Sequence, residues 1–349
     1  MLSQLRLQNF RSYQDKTFTF GPNINLIIGP NASGKTNLLE AIFFICQGRS
    51  YRAVDSEIIK FNNEALRLAG INERDEKKEI KIYKNKKILI EKEKEIKNTK
   101  DYFFNPVVLF EPDQLTLLAD RPEKRRDYLD DLIETTKDDY RIIRKKYNRT
   151  LNQRNALLKN KKINKNQIFP WDFKLSELSS LIINERINLT ETINKYLKDI
   201  YKNISGKETD IEIKYLTSWP KENYASNFLN ELEKTIQDDI LRGYTSIGPH
   251  REDFLINLNQ KKTKSIASRG EIRTIILALK LIEAEIVKIN YRQKPIILLD
   301  DVFGELDQER QTNLINSLTS YQIFITLASF DNLFKNSKHK HTTIFTVPD

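Results

Sequence analysis

Residues 29 to 36 read Gly-Pro-Asn-Ala-Ser-Gly-Lys-Thr and carry all four fixed positions of a phosphate-binding loop, G-x-x-x-x-G-K-[ST]. The motif constrains the fold because it works only between a strand that delivers it and a helix that starts on its last residues. Both flanks are present. Upstream, Ile24, Leu26, Ile27 and Ile28 make a short apolar, β-branched run that suits a buried strand. Downstream, Leu38, Leu39, Ala41, Ile42, Phe43 and Ile45 continue as a helix with an apolar face. The backbone from Gly29 through Pro30, Asn31, Ala32 and Ser33 to Gly34 is expected to curl around phosphate oxygens, and the helix N-terminus favours their charge. Lys35 would neutralise the β- and γ-phosphates, and the Thr36 hydroxyl would ligate Mg²⁺. ATP and Mg²⁺ are therefore the expected cofactors.

A triphosphate site needs a second acidic element, and residues 295 to 307 supply one, Pro-Ile-Ile-Leu-Leu-Asp-Asp-Val-Phe-Gly-Glu-Leu-Asp. Four consecutive apolar residues predict a strand buried on both faces, as in a parallel sheet. Asp300 and Asp301 then fall at its C-terminal end, where open α/β sheets bind ligands. Asp300 is expected to hold Mg²⁺ and Asp301 to polarise the attacking water. Between loop and acidic strand, Ser268-Arg269-Gly270-Glu271 precedes a long helical pattern, Ile272, Ile275, Ile276, Leu279, Ile282 and Ile286. Serine followed three residues later by glutamate is a capping box. The same residues also resemble the signature motif of an ABC-type ATPase, and taken alone they leave both readings open. The order along the chain favours the signature: phosphate loop, long insertion, signature, acidic strand, then Gly304-Glu305-Leu306-Asp307, which resembles a D-loop.

Further blocks carry a closer resemblance. They are Asn9-Phe10-Arg11-Ser12-Tyr13, Asn37-Leu38-Leu39-Glu40-Ala41-Ile42 and Gly48-Arg49-Ser50-Tyr51-Arg52. They continue as Phe110-Glu111-Pro112-Asp113, the arginine-rich run from Arg121 to Asp130, and Gly248-Pro249-His250-Arg251-Glu252-Asp253. Along nearly its whole length the chain resembles the RecF family of bacterial recombination-mediator ATPases, related to the SMC-type heads. The resemblance implies an α/β fold: an ABC-type ATPase head, with a P-loop core sheet plus an antiparallel β-subdomain, and an inserted helical lobe. Residues 1–110 and 206–349 would form ATPase lobe I, and 111–205 helical lobe II. It implies an ATP-dependent homodimer in which Ser268 acts in trans on the other subunit's nucleotide, with Gly270 and Asp307 also at the seam. Arg11 resembles the basic residue near the triphosphate in SMC-type heads, and Gln114 would sit as a Q-loop glutamine does. The implied function is weak ATPase activity that switches binding to double-stranded DNA with gaps or single-strand junctions. RecR, RecO and RecA are the implied partners in DNA repair, and the cytoplasm the implied location. Two departures stand out. The family's usual signature has glutamine where this chain has Arg269 and Glu271. The late strand Ile325-Thr326-Leu327-Ala328-Ser329 lacks both the ABC-transporter histidine and the Thr-Asp pair common in RecF, leaving open which group there senses the γ-phosphate.

Composition agrees with this and is less specific. Against 48 Asp+Glu stand 58 Lys+Arg, a formal charge of +10 that suits a polyanion such as DNA. The single cysteine, Cys46, allows no intrachain disulfide, and three histidines offer no zinc-ligand spacing. No apolar run approaches the ~18–20 residues of a membrane span, and the N-terminus lacks a signal peptide's apolar stretch. Residues 79–91 alternate around a polar turn and predict a hairpin. Tyr128, Leu132 and Ile133, then Ile143, Tyr147 and Leu151, and later Leu178, Leu181, Ile182 and Glu185 repeat with helical spacing. Between these runs, residues 160–166 predict a loop. The dense cations Arg121, Lys124, Arg125 and Arg126 admit two roles, contact with DNA phosphates or a structural bridge between the lobes. Two other classes stay open: a transporter ATPase subunit would carry a membrane-coupling surface, a signature closer to Leu-Ser-Gly-Gly-Gln and a switch histidine, none of them evident, and an overcoming-lysogenisation-type nuclease needs a C-terminal metal domain where fewer than ~50 residues follow Asp307.

Overall fold

The computed structural model describes residues 1–83, 86–96, 102–111, 117, 122–160, 164–263, 267–329 and 342–347. The chain divides into two compact units. The first comprises Met1–Gln114, Asn203–Gly206 and Arg273–Asp349; the second comprises Leu115–Lys202 and Lys207–Ile272.

The elements run, in chain order, β1 (Leu2–Phe10), β2 (Tyr13–Thr19), β3 (Ile24–Ile28), α1 (Lys35–Gln47), β4 (Ala65–Asn72), β5 (Lys77–Tyr83), β6 (Lys86–Glu91), β7 (Lys94–Glu95) and β8 (Val107–Phe110). Then come α2 (Pro122–Thr136), α3 (Asp138–Leu158), α4 (Lys165–Ser205), β9 (Ile211–Leu216), α5 (Tyr224–Lys234), α6 (Ile236–Arg242), β10 (Asp253–Leu258) and β11 (Lys261–Lys262). The chain continues with α7 (Arg269–Tyr291), β12 (Ile296–Leu299), α8 (Gln308–Leu318), β13 (Ile323–Leu327) and β14 (Thr342–Thr346).

In the first unit, β14-β3-β13-β12-β8 form a five-stranded sheet, parallel throughout. β3 is paired on both edges and β12 lies between β13 and β8, which is why both read as apolar runs without alternation. The second sheet, β2-β1-β4-β5-β6-β7, is antiparallel and alternates: β4 buries every second residue. The expected hairpin is its β5–β6 pair, with Ile80 opposite Leu89. Helix α1 contributes to a core shared with both sheets, where Leu38, Leu39, Ile42 and Ile45 join Leu5, Leu68 and Ile80 of the antiparallel sheet and Leu298 and Phe324 of the parallel one. Residues Leu38 to Ile42 are all buried, as a helix covered on several sides requires. Cys46 is core, and burial pushes its thiol up to about 12.

The second unit holds α2, α3 and most of α4, with the antiparallel strands β11-β10-β9 and the short helices α5 and α6. The sequence expectation grouped 206–349 with lobe I, whereas residues 207–272 gather with the helices. Charged side chains explain the grouping. Arg125 of α2 makes a two-pronged pair with Asp253 at the start of β10, at 2.8 and 2.7 Å. Arg126 donates to the Glu252 carbonyl at 2.9 Å. Buried Arg186 of α4 donates to both oxygens of Asp130 and to the Pro249 carbonyl. Arg154 of α3, fully buried, joins Asp239 and Thr245. Buried guanidinium–carboxylate pairs of this kind fix arrangement more than they add stability. Among the described residues, no helix is long and apolar enough to cross a membrane.

Candidate phosphate-binding and acidic site

β3 ends at Ile28 and α1 begins at Lys35, so the loop occupies the turn between them in the first unit. Two glycines are demanded by geometry. A Cβ on Gly29 would overlap the Val347 carbonyl oxygen, and its N–H donates to Leu327 O at 3.1 Å. Gly34 has φ of +102°, a conformation that glycine adopts without penalty. Ala32 also sits in the left-handed region, at φ +64°. Pro30, Asn31 and Ala32 are exposed at the tip. The Lys35 ammonium donates to the carbonyls of Gly29 and Pro30, at 2.7 and 2.8 Å. Those acceptors are neutral and, among the described residues, no carboxylate pairs with Lys35, so a phosphate would be the stronger partner. Ser33 Oγ is buried and, among the described residues, has no hydrogen-bond partner, an orphan hydroxyl inside the loop.

The acidic pair lies on the other side of α1's first turn. Thr36 Oγ1 donates to Asp300 Oδ1 at 3.1 Å, joining residues 264 positions apart. Thr326 of β13 donates to the same oxygen at 2.8 Å, and its hydroxyl accepts the Asp301 N–H at 2.8 Å. Burial pushes the Asp300 carboxyl up; the Thr326 and Thr36 hydroxyls and Arg52 pull against it. Asp301 is exposed and held at φ +51°, a strained backbone for a non-glycine residue. A hydroxyl, a buried carboxylate and an orphan serine hydroxyl beside a glycine turn fit a Mg²⁺–triphosphate. Mg²⁺ keeps several waters and takes one or two protein oxygens. Among the described residues, no cluster of three His, Cys, Asp or Glu could hold a metal by itself.

Arg11, in the turn between β1 and β2, reaches across to α1. Its guanidinium grips Glu40 with two bonds, 2.8 and 2.9 Å, and donates to Glu57 O at 2.9 Å. Glu40 is fully buried and also accepts from Arg52 at 2.9 Å and Ser50 at 2.6 Å. Burial opposes its charge, but Arg11, Arg52 and Ser50 outweigh that and hold the carboxyl below its ordinary range. Tyr13 donates to the Gly34 carbonyl at 3.1 Å, and Asn37 to Ser12 Oγ at 3.1 Å. The β1–β2 turn thus braces the loop. Sequence reasoning assigned no role to Glu40, Arg52 or Thr326. One signal existed: Glu40 is a lone acid inside the apolar run Leu38 to Ile42.

Ser268 lies in the second unit, one residue before α7. Its hydroxyl donates to Glu271 Oε2 at 2.8 Å and accepts the Glu271 N–H at 3.3 Å, while its own N–H reaches the same carboxylate at 2.8 Å. That is a complete capping box, and Gly270 falls in the first turn beyond it. Asp307 caps α8, accepting the Arg310 N–H at 2.9 Å, and remains exposed. Asp300, Thr36, Lys35 and Gly29 to Gly34 therefore gather in the first unit. His250 is half-buried and held on both ring nitrogens: Tyr147 donates to its Nδ1 at 2.6 Å and its Nε2–H donates to the Thr245 carbonyl at 3.1 Å. Burial pushes its imidazole down to about 4. Of the basic block, Arg125 and Arg126 serve the structural role within the second unit. Pro112, Asp113, Gln114, Arg121 and residues 161–163 lie outside the described residues.

A family model for the RecF/RecN/SMC N-terminal domain matches residues 1–348. The DNA replication and repair protein RecF of Clostridium acetobutylicum is 36% identical over 349 residues, covering 97% of this chain and 95% of that protein. The solved structure of the recombination mediator protein RecF–ATPrS in the RecFOR pathway shares 32% identity at a TM-score of 0.83, over 95% of this chain and 93% of its own. An SMC head bound to the C-winged helix domain of ScpA matches over 96% of this chain and 92% of its own at a TM-score of 0.57; at 16% identity it shows the fold alone.

Proposed function

This chain belongs to the RecF family, and we propose that it is an ATP-hydrolysing recombination mediator whose nucleotide state controls dimerisation and DNA binding. The observation that carries the reading is the 3.1 Å contact between the Thr36 hydroxyl and Asp300, which pairs the phosphate loop with the acidic strand. The loop amides and Lys35 would bind and orient the β- and γ-phosphates. Thr36 and Asp300 would hold Mg²⁺, which when bound supplies positive charge to the phosphate oxygens. Thr326 keeps Asp300 and the Asp301 backbone in place. Exposed Asp301 would orient the attacking water.

Ser268, with Gly270 and Asp307, would complete the site across a symmetric dimer, the same surface serving twice. Hydrolysis would reopen that dimer. DNA would be held through its phosphates, by binding that depends on salt more than on sequence. RecO and RecR, with RecA loading downstream, are the partners that family membership favours, and the cytoplasm the location. The test is size measurement with and without MgATP and gapped DNA, alongside Lys35→Ala. Wild type should dimerise only with ATP, and the variant should lose nucleotide binding because the triphosphate loses its main fixed countercharge. Unchanged affinity by calorimetry would remove the site assignment.

A further inference from the structure

The positive charge of the helical unit is unevenly used. Helix α3 carries Arg144 and Arg154 inward: Arg144 meets Asp127, Asp131 and Glu134, and Arg154 meets Asp172 and Asp239. Its solvent side differs. Arg141, Lys145, Lys146 and Arg149 are exposed on α3, and Lys159 caps its end. From Arg141 to Asn160 every exposed residue is basic or uncharged; Asn148, Asn152 and Ala156 fill the positions between the cations. Among the described residues none of these five cations has a carboxylate partner. At 100° per residue, Arg141, Lys145, Arg149 and Lys159 fall within one quadrant of the helix, a stripe about 27 Å long.

The stripe has a flank. The segment after α6 packs along the same helix: Thr245 bonds Asn155, and Tyr147 bonds His250. The end of α6 presents exposed Arg242, and the segment after it presents Arg251, lying over the Tyr244 ring at 5.1 Å from its centre. These cations too have no carboxylate partner among the described residues.

We propose that the exposed face of α3, extended by Arg242 and Arg251, binds the phosphate backbone of duplex DNA. An ordinary solvated helix face intersperses acids with bases, because unpaired like charges repel. Past the first turn, where Asp138 and Asp139 lie, five cations follow on α3 without an acid, and with Arg242 and Arg251 they raise a potential that counterions must otherwise screen. Duplex DNA places a phosphate charge every ~1.7 Å of axis, so a stripe of this length lies alongside enough phosphates to engage several cations at once. The asparagines add hydrogen-bond donors to phosphate and sugar without base preference. This rests on the DNA-binding reading above and names the surface that reading left unassigned.

The test compares two triple variants of the full chain on a fluorescein-labelled duplex with MgATP, titrated across salt. Lys145→Gln, Arg149→Gln and Lys159→Gln together should weaken binding by roughly 10- to 100-fold and make the log K against log[salt] slope shallower by about 2–3. Lys195→Gln, Lys198→Gln and Lys214→Gln remove the same charge from other exposed positions of the second unit and should change affinity less than about 3-fold, with the slope kept. MgATP affinity by calorimetry should match wild type in both. Equal losses in the two triples would overturn the proposed surface and leave the DNA-binding reading standing. No DNA binding by the wild type would overturn both.

Discussion

Glu40 offers the sharpest test of the architecture beneath the phosphate loop. Its carboxylate is fully buried and accepts four hydrogen bonds, two from Arg11, one from Arg52 and one from Ser50. Glu40→Gln keeps the volume and turns one acceptor oxygen into a donor that faces donors. Breaking a buried pair from one side costs about 3–5 kcal/mol. Here Arg11 and Arg52 are 23% and 33% exposed and rehydrate in part, so the expected loss is nearer ~2–3 kcal/mol. Both tryptophans, Trp171 and Trp219, lie in the second unit, so fluorescence follows the wrong part of the chain. Hydrogen exchange at the α1 amides reads the first unit directly, and their protection should fall by roughly 30- to 150-fold. Because the folded carboxyl sits below its ordinary range, its contribution is present above that range and is lost as pH falls through the folded value. A double-mutant cycle with Arg52→Gln should show coupling of about 1 kcal/mol. If Glu40→Gln leaves α1 protection within ~0.5 kcal/mol of wild type, the Arg11–Glu40–Arg52 contact is not what holds this helix.

Three other outcomes are expected. Asp301→Asn should leave ATP binding intact and slow hydrolysis by roughly 100-fold or more in a steady-state phosphate-release assay; unchanged turnover would move the water-orienting role elsewhere. Ser268→Arg removes the capping oxygen at a cost of about 1 kcal/mol and should block ATP-dependent dimerisation, while mixing it with Lys35→Ala should restore partial ATPase through one intact composite site. Full hydrolysis by Ser268→Arg as a monomer would leave the serine only as a helix cap. For His250, held neutral with its imidazole near 4 against an ordinary 6.5, stability is complete above pH 6.5 and declines as pH falls towards 4 by up to ~3 kcal/mol. Tryptophan fluorescence follows that unit, and His250→Gln should flatten the slope in this window; an unaltered slope assigns it to another group.

What the sequence disclosed is what short range determines. The strand before Gly29, the helix after Gly34 and the apolar run before Asp300 each read within about ten residues, the range over which periodicity and turn chemistry act. The Arg11 pairing was not legible because its partner, Glu40, lies 29 residues away and a lone arginine at a strand end reveals no partner. Thr326 was invisible for the same reason: its link to Asp300 spans 26 residues and forms only when β12 and β13 pair. Ser268-Arg269-Gly270-Glu271 stayed double in meaning because one chain satisfies the capping box outright, and a role across a dimer leaves no separate mark within that chain.

The arginine-rich block shows why charge density alone is a poor guide to a nucleic-acid surface. Arg125 and Arg126 lie in one of the dense basic runs of the second unit, yet Asp253, 128 residues on from Arg125, and the Glu252 carbonyl take them. Arg186 of α4 and Tyr147 of α3 bind the same Gly-Pro-His-Arg-Glu-Asp segment from two other helices, at the Pro249 carbonyl and the His250 ring. The arginine-rich block and the Gly-Pro-His-Arg-Glu-Asp block are thus two halves of one internal clasp in the helical unit. A cation already matched to a buried carboxylate gains little by turning to a phosphate, since leaving strands the acid without a partner. Arg141, Lys145 and Arg149 face no such opposition. The formal charge of +10 is therefore available to a polyanion mainly where the described residues supply no acid, as along the outer face of α3 beyond its first turn.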